Sequence, residues 1–85
     1  MKIYKQELPF WVNKPFTFEL EGKIINFKVQ QNKIVMYYEV GELTDYELFM
    51  IETGFDAEVD DSYKYYNTLM MFDGQYVLHC YVREK

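Results

Sequence analysis

Between Lys23 and Val40 the chain alternates apolar and polar residues, breaks, and alternates again. Ile25, Phe27 and Val29 interleave with Asn26, Lys28 and Gln30. After Gln31-Asn32-Lys33 the alternation resumes, with Ile34, Met36, Tyr38 and Val40 set against Val35, Tyr37 and Glu39. A period of two is the mark of a strand with one face buried. Asn tolerates the left-handed backbone of a tight turn. This stretch therefore predicts a β-hairpin, around which the other elements are expected to assemble.

The flanking segments add further strands. Lys2 to Leu8 predicts a charged edge strand that stops at Pro9, since proline cannot donate to a ladder. Phe10-Trp11-Val12 is an apolar knot, and Asn13-Lys14-Pro15 turns the chain. Phe16 to Leu20 predicts a short strand with Phe16, Phe18 and Leu20 inward, followed by a turn at Glu21-Gly22. Tyr46 to Thr53 and Tyr63 to Phe72 are apolar on both faces, as expected of central or covered strands. Gly54 to Ser62 is the longest irregular stretch. Asp73-Gly74 is a two-residue hairpin signal leading into a last strand, Gln75 to Val82. The expectation is one domain over residues 1–85, all-β, with about seven short antiparallel strands in a compact β-sandwich or small open barrel.

Composition sharpens this picture. Eighty-five residues make a thin core, and nine Tyr, seven Phe and one Trp supply its bulk. The second faces of the strands offer Val35, Tyr37, Phe49, Ile51, Tyr66, Met70, Phe72, Val77 and Tyr81. An apolar surplus of that kind predicts association, with a homo-oligomer first in line. A single cysteine, Cys80, excludes an internal disulfide and suits a reducing cytoplasm. With no signal-peptide pattern and no long apolar run, the chain is expected to be complete, soluble and cytoplasmic.

Charge is unevenly spread. The segment from Glu39 to Asp61 holds nine acids and no Lys or Arg, so it carries −9 of a net −5 and leaves the rest at +4. Such asymmetry steers a partner of opposite sign and disfavours duplex nucleic acid. The simpler reading is a solvated acidic face.

No residue set dictates a reaction. His79 and Cys80 are strand neighbours and point to opposite faces, so they form no dyad. Asp56, Glu58, Asp60 and Asp61 resemble the start of a calcium loop, but Asp61 stands where glycine is required and Asn67 where glutamate is. The glycines are solitary, which rules out a phosphate-binding loop. No catalytic residue, metal or cofactor is expected, and the chain reads as a binding protein.

Several runs then carry a likeness. They are Met1-Lys2-Ile3-Tyr4-Lys5, Leu8-Pro9, Lys23-Ile24-Ile25 through Val29-Gln30 and Lys33-Ile34, Glu52-Thr53-Gly54, and Tyr76-Val77-Leu78-His79-Cys80-Tyr81-Val82. Over nearly its whole length the chain resembles a small family of uncharacterised bacteriophage and prophage proteins. It departs from that pattern at Tyr37-Tyr38, where a Trp is expected. The resemblance implies a phage origin and a compact β-fold, and brings no catalytic residues with it. Short accessory phage proteins often antagonise host defence. The first expectation is therefore a protein that binds a host immune protein, through Trp11, Tyr37 and the acidic Asp56, Glu58, Asp60 and Asp61. The alternative is a sponge for a cyclic nucleotide signal at an oligomer interface, with Tyr66 and Tyr81 stacking on bases and Lys28, Lys33 and Arg83 holding phosphates. A structural or accessory virion role is a third. Trp11 itself reads either as a plug over one end of the core or as an exposed interface anchor.

Overall fold

The computed structural model describes residues 1–85. It contains five strands and no helix: β1 (Ile3–Leu8), β2 (Pro15–Gln30), β3 (Lys33–Glu52), β4 (Lys64–Met71) and β5 (Tyr76–Glu84). They form one antiparallel sheet, curled into a half-barrel. The long β3 lies at its centre. β2 runs along one side of it, while β1 and then β5 share the other, and β4 follows β5. The all-β expectation and its open-barrel form hold.

The strand count differs from the expected seven for a physical reason. The two segments on either side of Gly22 are one strand, and so are the two on either side of Gly41. At the shift between Glu21 and Gly22 the partner register jumps from Leu43 to Val40, so β3 carries extra residues there. This bulge bends the ribbon without breaking it. The two glycines meet at the bend, where a Cβ on Gly41 would lie 3.9 Å from the Gly22 Cα.

The turns obey local chemistry. Gln31 and Asn32 take φ of 52° and 60°, the left-handed pair of a two-residue hairpin. The last hairpin turns earlier than expected: Phe72, Asp73 and Gly74 all have positive φ, so β4 stops at Met71 and leaves Phe72 in the turn.

The core is the concave side of the curl. Phe27, Met36, Leu78 and Cys80 are fully buried, and Ile34, Leu48, Met50 and Val82 nearly so. Burial pushes the Cys80 thiol up to about 12, which keeps it protonated. Val35, Phe49 and Ile51, expected on a bare second face, are buried within the single chain. The crossover from Glu52 to Lys64 contributes to that cover, since Tyr63 packs its ring 6.0 Å from that of Phe49.

One seam is not closed by backbone pairing. Where β2 approaches β4, the Asn67 side chain replaces a ladder rung. Its Nδ2 donates to the Phe27 carbonyl at 2.7 Å, and its Oδ1 accepts from the Phe27 N–H at 3.3 Å. Both strands are irregular here, at Ile24/Asn26 and at Tyr65/Asn67. These bulges turn the amide into line with the facing strand.

Candidate interaction site

A path of aromatic rings runs over the end of the half-barrel and down the edge of β2. Phe72 lies 6.0 Å from Tyr76, and Tyr76 5.8 Å from Phe10. Trp11, next in sequence, lies 6.2 Å from Phe16. Phe16 stacks on Phe18 at 5.6 Å, and Phe18 reaches Tyr46 at 6.0 Å. Phe10, Trp11 and Phe72 are 52%, 43% and 42% exposed. Trp11 is thus only partly covered, and it does not seal one end of the core.

Local structure explains why the knot stays outside. Asn13 takes a left-handed φ of 65° and clamps the segment to the end of β3. Its N–H donates to the Met50 carbonyl at 2.7 Å, and its Oδ1 accepts from the Glu52 N–H at 2.9 Å. The Trp11 indole N–H donates to the Pro15 carbonyl at 3.2 Å, which fixes the ring over the start of β2. An aromatic held in one place costs little entropy on binding.

The acidic segment is organised by cations from the far end of the chain. Glu47 is buried on the convex face, paired with Arg83 at 2.8 Å and near Lys85 at 3.9 Å. Tyr63 donates its hydroxyl to the same carboxylate, and the Arg83 guanidinium sits 4.5 Å above the Tyr63 ring. Asp60 caps Ser62 and lies 3.8 Å from Arg83. The Ser62 hydrogen bonds hold its carboxyl below the usual range, helped by Arg83. Burial, with the bond to Glu47 and its charge, pushes the Tyr63 phenol up to about 12. A phenol whose folded value exceeds its unfolded value stabilises the fold below pH 10, and that contribution disappears as pH rises towards 12. Tyr63→Phe is therefore expected to flatten the loss of melting temperature across this window. An identical slope in both proteins would contradict the assignment.

The anticipated site residues separate into different places. Asp56, Glu58 and Asp61 are exposed on the crossover, while Asp60 is tied to Arg83. Tyr37 is half-buried on the convex side of β3, where its hydroxyl accepts from Gln30 at 2.6 Å. Lys28 is exposed on β2, and Lys33 pairs with Glu7 at 3.4 Å. Tyr81 packs on Tyr65 at 5.6 Å on the convex side of β5, whereas Tyr66 packs edge-on against Phe27 in the core. Only Tyr66 and Arg83 of the nucleotide-binding set share a cavity. It measures about 430 Å³ and is also lined by Tyr46, Lys23, Lys64 and Glu84. Burial raises the Tyr46 and Tyr66 phenols above their ordinary value, with the charge of Glu84 adding to each.

Sequence reasoning missed Phe10, Phe16, Phe18, Phe72 and Tyr76 as parts of one surface, and Glu47 as an internal charge. Phe16 and Phe18 carried a signal, since they share one face of a strand. His79 is satisfied by hydroxyls alone, with Thr53 at 2.7 Å and Thr68 at 3.1 Å. No three His, Cys, Asp or Glu side chains are grouped to hold a metal.

A family model described as "Domain of unknown function (DUF7352)" matches residues 1–85. No curated protein and no solved structure matches the chain.

Proposed function

Given that the chain belongs, over its full length, to the family of the domain of unknown function DUF7352, we propose that it is a non-enzymatic binding protein. Its phage origin, implied by the resemblance of its runs to phage and prophage proteins, makes a host immune protein the partner to be blocked. The observation that carries this reading is the aromatic path. Three large rings, Phe10, Trp11 and Phe72, stand exposed, and a hydrogen bond to the Pro15 carbonyl fixes that of Trp11. A Trp anchor of this kind dominates binding energy where a partner's pocket can desolvate it. The exposed carboxylates of Asp56, Glu58 and Asp61 add steering towards a basic partner surface.

The test is capture from a bacterial host lysate, followed by affinity measurement with the protein recovered. Trp11→Ala is expected to weaken binding about 30-fold, as for an anchor of about 2 kcal/mol, with the melting temperature unchanged. Retention of full affinity by both Trp11→Ala and Phe10→Ala would overturn the reading. One observation favours a second reading, sequestration of a cyclic nucleotide: Tyr66, Arg83, Lys23 and Lys64 line one cavity. A large thermal shift with a cyclic nucleotide, abolished by Lys64→Ala, would support that instead.

A further inference from the structure

The edge of β2 beside the aromatic path has no partner, and its chemistry specifies one. β2 pairs with β3 along one side only, and β4 meets its other side only near Phe27. In the upper half of the sheet the backbone phase is fixed by three bonds. The Met50 carbonyl and the Glu52 N–H are directed towards the Asn13 side of β3, and the Asp45 carbonyl towards Lys85 on the opposite side. Backbone groups alternate in direction along an antiparallel strand. Leu48 and Tyr46 therefore bond Phe16 and Phe18, and the N–H and C=O groups of Thr17 and Glu19 point away from the sheet. Pro15, in the same outward phase, has no N–H to offer, and its carbonyl is taken by Trp11.

We propose that this edge receives an extended segment of a partner protein as an added strand, and that the segment alternates apolar with basic residues. This rests on the protein-binding reading above and names the partner's chemistry. The added strand would take two rungs from Thr17 and Glu19. On the concave side its apolar residues would lie beside Phe16 and Phe18, which are half-exposed. On the convex side its Lys or Arg would lie beside Glu19 and Glu21, with Asp45 paired to Glu19 in the next column; Lys85 lines the same hollow but turns its ammonium to Glu47, which leaves the acids of the β2 edge in excess. From Pro15 to Glu21 β2 has no cation of its own, and Lys14 and Lys23 bound the stretch. The complementary pattern is therefore short, about four or five residues, as in other strand-addition complexes that combine main-chain bonds with alternating pockets. Charge also decides against a second copy of this chain. Two β2 edges side by side would gather four carboxylates, two from Glu19 and two from Glu21, on one face, and like charges across strands repel.

The experiment uses the full chain and synthetic heptapeptides alternating valine or phenylalanine with lysine or arginine. The comparison peptides carry the same residues in blocked order, or glutamate in place of the cations. The alternating basic peptide is expected to bind, more weakly as salt rises, and to slow amide exchange at Thr17 and Glu19. Glu19→Pro removes an N–H that the β2–β3 ladder does not use. It is expected to lower affinity at least tenfold with an unchanged melting temperature, and Glu19→Lys with Glu21→Lys is expected to invert the peptide preference. Should Glu19→Pro fail to fold, the charge-reversed pair and the exchange data still decide. Equal binding of all three peptides, no binding, or no protection at Thr17 and Glu19 would overturn strand addition. So would self-association that protects those amides without peptide. If Trp11→Ala abolishes capture of the lysate partner while Glu19→Pro and the charge-reversed pair do not, strand addition falls and the protein-binding reading stands. If none of these variants, nor Phe10→Ala, affects capture, both fall.

Discussion

Phe27→Ala is expected to destabilise the domain by about 3–5 kcal/mol, the cost of emptying a large buried aromatic site. The ring is fully buried and meets Tyr66 edge-on at 5.8 Å, while its own backbone carries both hydrogen bonds of the seam. Collapse around the missing ring would therefore compete with the geometry that keeps the sheet curled. A domain of this size has only about 5–15 kcal/mol of stability, so the variant is expected to be largely unfolded at 37 °C or close to it. Urea denaturation followed by tyrosine and tryptophan fluorescence measures the effect. Phe27→Leu, which refills most of the volume, is expected to recover much of the loss. An unchanged midpoint for Phe27→Ala would mean that the ring lies outside the core.

Gly22→Ala is expected to be comparably damaging, at about 3 kcal/mol, the upper part of the usual range for overpacking. A Cβ at this position would lie 2.1 Å from the Glu39 carbonyl oxygen and 2.9 Å from the Tyr38 ring. The ring can rotate. The carbonyl is part of the β3 backbone at the bend and cannot leave without disturbing the ladder. Gly41→Ala is the matched control, because its Cβ would meet nothing nearer than the Gly22 Cα at 3.9 Å. The pair should separate by more than 10 °C in melting temperature, since about 1 kcal/mol moves a domain of 60–100 residues by 4–8 °C. Equal melting temperatures would show that the bend is more open than described.

What could be read beforehand was local. The hairpin at Gln31-Asn32, the stop at Pro9 and the inward set Ile34 and Met36 follow from turn chemistry and a period of two. The continuity of β2 and β3 did not, because a glycine between two alternating runs looks the same whether the chain turns or bends through a bulge. Only the facing strand decides, and in this protein Gly22 faces Val40 with Gly41 beside it in the bulge. Glu47 was one acid among nine until Arg83 and Lys85 came alongside it from the last strand. The aromatic path has the same origin. Phe10 and Trp11 precede β2, whereas Phe72 lies in the final turn and Tyr76 follows it, and no period within either segment links them. Alternation assigns residues to faces, but which strand edge remains unpaired is settled by the order of strands in the sheet.

The Asn67 amide gives the molecule a lengthwise line of weakness. Everywhere else neighbouring strands are joined by many peptide groups, but between β2 and β4 the hydrogen bonds come from one carboxamide, with the Phe72 N–H donating to the Asn32 side chain at the turns and the Phe27 and Tyr66 rings packing across the line. Hydrolysis of that carboxamide to a carboxylate leaves every peptide intact, yet it replaces the donor facing the Phe27 oxygen with a second oxygen. Chemical ageing at a single side chain would thus loosen the contact between β2 and β4, a route to destabilisation that requires neither a protease nor heat.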